Sequence, residues 1–148
     1  MNRASLDTSA RVLKQPSREA AAEYSTKKDT MAETVIGKLM AREDLDKLIG
    51  KENSSMMKDN AHNMARFMES IFVKFDPDIL VETVLWVFRA YRSHGFQLTF
   101  WSAHLSIWIE VIIQDISAAS SFELLPFYNW MQVNIPIFTS LTDGNQDE

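Results

Sequence analysis

The stretch Phe100-Trp-Ser-Ala-His-Leu-Ser-Ile-Trp-Ile-Glu-Val-Ile-Ile-Gln-Asp-Ile116 is apolar on nearly all sides when wound at helical pitch. A helix of that kind belongs at the centre of a fold, with other helices laid around it. It is too short for a membrane span. It is also too polar, with His104, Glu110 and Asp115 inside it or at its end. Core burial accounts for it better, and Thr99 is placed to cap its start.

Working outward toward the N-terminus, Asp76-Pro77 signals a fresh helix. Aspartate accepts from the free amides of a first turn, and proline fits where no N–H is missed. Ile79, Leu80, Val84, Leu85, Val87, Phe88 and Tyr91 form its apolar face, and Gly95 ends it. Asn53 to Phe75 carries a single stripe of Met57, Asn60 and Ala61, Met64, Phe67 and Met68, Ile71 and Phe72, and Phe75, with Asn53-Ser54-Ser55 as cap candidates. Met31 to Ile49 shows the same three-four spacing and stops at Gly50. Residues 1–30 are polar, are broken by Pro16 and lack an apolar stripe, so they read as a flexible tail.

Toward the C-terminus, Ser120-Phe-Glu-Leu resembles a capping box with Glu123, opening a last helix. Pro126 would kink that helix at most, and Pro136 should end it near Asn134. Residues 144–148 form an acidic tail. The expected fold is all-α: five or six helices in a globin-like or bundle arrangement over residues 31–143, with a polar N-terminal tail. No strand alternation, hairpin signal or internal repeat appears.

Composition narrows the function. At 148 residues the chain fits one domain able to bury its own core. With no cysteine, thiolate chemistry and disulfides are excluded. The first thirty residues hold no apolar run of the kind a signal peptide needs, so the expected location is the cytoplasm. All 15 Lys and Arg lie before Phe96 and are diluted there by acidic residues, which disfavours a phosphate-binding groove and hence nucleic acid as a partner.

Chemistry-bearing residues are sparse. His62, His94 and His104 have no partner at metal-ligand spacing, so no metal site is expected. His94, in Tyr91-Arg-Ser-His-Gly-Phe96, is the one candidate axial ligand for a haem or other tetrapyrrole; a histidine in a last turn also suits the helix dipole. His104, between Trp101 and Trp108, reads as a hydrogen-bonded core histidine. No nucleophile elbow or phosphate loop occurs, so no catalytic residue is assigned. Glu82 and Glu110 are lone carboxylates in apolar helices, and a small enzyme using one of them, buried, is the remaining catalytic reading.

The second half is crowded with rings. Trp86, Tyr91, Trp101, Trp108, Phe127 and Trp130, with His94 and His104, are the candidate ligand or interface residues, because rings on more than one face of a helix exceed a single packing stripe. The surplus should meet a second copy of the chain, another protein, or a small molecule in a pocket.

Three stretches then acquire meaning in order: Glu82-Thr-Val-Leu-Trp-Val-Phe-Arg-Ala-Tyr-Arg-Ser-His-Gly95, then Leu105-Ser-Ile-Trp-Ile109 in the central helix, then Leu125-Pro-Phe-Tyr-Asn-Trp130 in the last. This order of helices resembles the globin-like, non-haem N-terminal sensor domains of RsbR-type stressosome proteins over about the last seventy residues. The resemblance implies a dimeric helical sensor that passes a signal to another domain or partner without chemistry of its own. It gives no counterpart for residues 1–30, and no effector domain follows Asp143 in this sequence.

Overall fold

The computed structural model describes residues 2–142. Among them are eight helices: α1 Arg3–Ala10, α2 Arg18–Met40, α3 Leu45–Ile49, α4 Ser54–Val73, α5 Pro77–Ser93, α6 Leu98–Asp115, α7 Ala118–Val133 and α8 Ile135–Leu141. The chain is all-helical as expected, with more helices than five or six. The acidic tail lies outside the described residues.

α6 lies at the centre, burying Phe100, Trp101, His104, Leu105, Trp108, Val111 and Ile112. Its surroundings are not closed on every side: Ser102, Ser106, Glu110 and Ile113 recur at helical spacing as a narrow exposed stripe. α2 crosses both α4 and α6, and α7 packs on α6 and α2. Buried Ala32 on α2 and Ala61 and Ala65 on α4 keep that crossing free of bulk.

Residues 3–30 are not a tail. α1 and the first half of α2 are helical and bury Leu6, Ala10, Ala20, Ala21 and Tyr24. The apolar stripe was missed because it is built largely of alanines, which carry little hydrophobic signal but permit close packing. Asn2 caps α1 and Ser17 caps α2. Gln15, in the linker between them, donates to the Phe72 carbonyl (2.7 Å) and accepts from the Phe75 amide (2.7 Å), satisfying backbone groups left open where α4 ends.

The starts of α2 and α7 hold each other. Glu123 accepts from Ser17 N (2.6 Å) and Oγ (3.0 Å), while Glu23 accepts from Ser117 N and Oγ, both at 2.8 Å. Each carboxylate therefore sits at the positive end of the other helix. Lys27, one turn beyond Glu23, donates to the Asp115 carbonyl at the C-terminal end of α6 (2.7 Å). These hydrogen bonds hold the Glu23 carboxyl down at about 2, the Ser117 amide contributing most. Further along, the buried hydroxyls of Tyr24 and Tyr128 meet at 2.8 Å, and burial raises both phenols above their ordinary range.

Several boundaries differ from the expected ones. Asp76 and Pro77 open α5 as anticipated. The cap of α7 is Ser117 rather than Ser120, since Ser117 Oγ accepts from the Ser120 amide and Glu123 is engaged with α2. Gln97, not Thr99, precedes α6, and its amide donates to Leu48 O (2.7 Å). Asn53 stands before α4, but its carboxamide nitrogen serves two chain ends instead, donating to Ile49 O (2.6 Å) and His94 O (2.9 Å). Pro126 lies deep inside α7 without ending it. Both Pro126 and Phe122, whose carbonyl loses its donor, are exposed, so water can serve that carbonyl. Pro136 sits in the first turn of α8.

Gly37 occupies the exposed interior of α2, and a β-carbon built there meets nothing within 4 Å. Gly37→Ala should therefore stabilise the fold by about 0.5–1 kcal/mol through lower unfolded-state entropy and better helix propensity. Urea unfolding would show this as a raised midpoint at unchanged slope; a lowered midpoint would mean that the α2 backbone there is not a plain helix.

Candidate functional site

α5 packs closely on α1 and α8, whereas its backbone stands off α4 and α6. Arg3 reaches Glu82 (2.9 Å) and Arg11 reaches Asp78 (2.8 Å), tying α5 to α1 through exposed ion pairs. Arg92 ties it to the end of α8 through the Thr139 carbonyl (3.1 Å) and the Thr142 hydroxyl (3.2 Å). On its other side, large rings span the gap. Phe88 stacks on Trp101 (centroids 4.8 Å apart), and Tyr91 meets Trp101 edge-on at 5.8 Å.

Where the rings do not fill that gap there is a partly open cavity of about 250 Å³. Asn60, Asn63, Met64 and Phe67 supply one wall at helical spacing on α4. Thr83, Val84, Trp86, Val87, Phe88 and Tyr91 of α5 face it, while Trp101 and Leu105 of α6 and Met131 of α7 complete it. No Asp, Glu, Lys, Arg or His lines it. Trp86 stands at its edge with 65 % of its surface open to solvent.

Two of the lining residues carry a polar atom that is buried without a partner in the protein: Asn60 Oδ1 and Trp101 Nε1. Such atoms are uncommon in folded chains, because each forfeits its hydrogen bond to water. Met64 and Met131 line the cavity as flexible, polarisable side chains that adapt to varied shapes.

Three of the eight residues singled out from sequence, Trp86, Tyr91 and Trp101, come together here. The others lie elsewhere. Phe127 packs edge-on against Phe72 and Phe75 in the core. Trp130 rests on Phe138 and donates to Ser9 Oγ at 2.8 Å. Trp108 donates to His104 Nε2 (3.1 Å), so that nitrogen carries the lone pair and Nδ1 carries the proton. His94 is exposed beyond the end of α5, its Nδ1 2.9 Å from the Ala90 carbonyl, and is not on the cavity wall. The axial histidine expected for a tetrapyrrole is thus pointed at its own helix end, and the cavity offers no histidine in its place. The residues present do not fit that cofactor.

The buried-carboxylate reading also fails on position. Glu82 and Glu110 are both exposed, the first paired with Arg3 and the second 3.4 Å from Lys38 beside a shallow surface groove. Asn60 and Met64 went unnoticed as site residues because they sit within an ordinary amphipathic stripe. A buried asparagine on that stripe, at Asn60, was the one available signal.

Burial lowers the His104 pKa from 6.5 to about 3, so the ring is neutral in the folded protein at physiological pH. Between those values the unfolded chain takes up a proton that the folded chain refuses, so stability should fall as pH drops through this window. One proton contributes a slope of up to about 1.4 kcal/mol per pH unit. In urea unfolding between pH 6.5 and 5.5, above the range in which Glu23 titrates in either state, His104→Gln should flatten that slope. An unaltered slope would assign the acid sensitivity to another group. No protein-family model matches the chain, and no curated protein or solved structure matches it either.

Proposed function

We propose that this chain is a non-catalytic sensor or regulatory domain in which occupancy of the cavity changes how α5 packs. The observation that carries the reading is the stand-off of α5: its inner face borders a cavity, and its tethers are exposed ion pairs and the short helices α1 and α8. Exposed ion pairs contribute little each, so a shift of α5 is resisted mainly by its ring packing on Trp101, which an occupant of the cavity would alter. A ligand acts only through its different affinity for the two packings of α5.

The outer face of α5 is where such a shift would be read. Ile79 and Trp86 lie two turns apart on it, and both are exposed. This face would meet a partner, for which we favour a second copy of the chain, in keeping with the sequence resemblance to globin-like sensor domains. The globin-like description itself rests on that resemblance and on the order of the helices.

Native-state hydrogen exchange tests the moving element. Amides of α5 are expected to open at lower free energy than those of α6, and α5 amides as protected as those of α6 would defeat the reading. Light scattering over a range of concentrations should show association that Trp86→Ala weakens, whereas a strict monomer removes the second copy as the partner.

A further inference from the structure

We propose that two copies of the chain pair antiparallel through α5, about a two-fold axis that passes beside Trp86. This deepens the sensor reading and rests on it, because it fixes the register of the partner that reading calls for. The register follows from the spacing of the residues that α5 leaves uncovered.

Ile79, Glu82, Trp86, Arg89 and Ser93 are exposed, and Thr83 and Ala90 are half-buried beside them. Seven residues make close to two whole turns, so these side chains fall into nearly straight rows along the helix. Ile79, Trp86 and Ser93 run down the middle, Glu82 and Arg89 along one flank, and Thr83 and Ala90 along the other. A two-fold axis lying across antiparallel helices sets each flank against the same flank of the second copy, with the order of residues reversed. Placed at Trp86, it brings Glu82 of each copy opposite Arg89 of the other. The same operation sets Trp86 on Trp86 of the second copy, Ile79 beside its Ser93 and Thr83 beside its Ala90.

One row carrying an acid and a base is complementary in charge to its own reversed copy. A parallel pair would instead turn Glu82 and Arg89 toward the flank of Thr83 and Ala90 and leave both charges unanswered. Each charged group has capacity to spare. Glu82 accepts from Arg3 through Oε2, which leaves Oε1 for a second donor, and Arg89 uses only one of its N–H groups on the Leu141 carbonyl (3.2 Å). From Ile79 to Ser93 the face is about 21 Å long. One helix face of that length covers less surface than a permanent dimer needs, so the pair is weak and reversible, as a signal requires. Trp86 also stands at the cavity edge, so whatever occupies the cavity bears on the side chain at the axis.

Sedimentation velocity of the full chain at low ionic strength, over about 10 μM to 1 mM, tests this. The unmodified chain is expected to dimerise reversibly within that range. Glu82→Arg and Arg89→Glu, each checked for retained helicity, turn both contacts repulsive and should each weaken the dimer about tenfold. An equimolar mixture of the two variants is expected to recover the unmodified affinity, since one copy then carries only arginines at these positions and the other only glutamates. Damage within one copy would not be repaired by adding the other. The double variant Glu82→Arg/Arg89→Glu exchanges the two charges within each chain and should dimerise as the unmodified chain does. A dimer indifferent to both single variants, or one that neither the mixture nor the double variant restores, would overturn the antiparallel register while leaving a second copy as the partner. A chain monomeric throughout the range would overturn the pair outright, and the cavity reading would then be decided separately by the exchange of α5 amides.

Discussion

A central helix with apolar residues around most of its circumference is the constraint from which the rest of this fold follows. α6 exposes only the stripe through Ser102, Ser106, Glu110 and Ile113, so several other helices must cover it. A single amphipathic partner buries one side of such a helix and leaves the others wet. Cover comes from both ends of the chain. α2 lies on one side of α6 and α7 on another, and α2 touches α7 in turn, which closes a triangle of helices around the rings of Trp108 and Tyr128.

Polar chemistry fixes how that triangle is set. Hydrophobic burial is non-directional and would tolerate α2 and α7 sliding past one another. The paired Ser17–Glu123 and Ser117–Glu23 contacts do not, because each joins a helix start to a side chain nearly two turns into the other helix. Lys27 adds the third corner by meeting the carbonyl end of α6. The Tyr24–Tyr128 hydroxyl pair then requires the two helices to keep the same relative rotation deeper in the core. α5 has no equivalent lock toward α4 or α6. Its polar ties run outward to α1 and α8, which is why the unfilled space collects beside it.

Much of the architecture could be read from residue order. The buried character of residues 100–116, the Asp76-Pro77 start and the stripe through Met57 to Phe75 each carry strong local signals, and all three helices are present. What escaped notice were features that depend on distant partners. The alanine-lined start of α2 looks featureless until α7 is laid against it, and Glu123 suggested a local capping box while being engaged with a serine 106 positions away. The cavity was legible only in outline. An excess of rings pointed to something beyond simple packing, and Trp86, Tyr91 and Trp101 do border the space. The α4 wall was silent because an asparagine within a methionine-rich stripe has no distinctive spacing, and whether its oxygen finds a partner is decided by the neighbouring helix.

The span of chain between the two mutually capped helix starts also bears on how the protein is made. The Ser17 end of α2 obtains its carboxylate only once Glu123 has been synthesised. At the usual pace of a ribosome that leaves the Ser17 amide and hydroxyl without this acceptor for roughly 5 to 20 s. For most of that interval Val35 and Leu39, which are buried in the finished molecule, lack the α6 helix on which α2 packs. The completed core is thus assembled after translation of most of the chain, and the emerging N-terminal half is the segment with most to gain from a chaperone's protection.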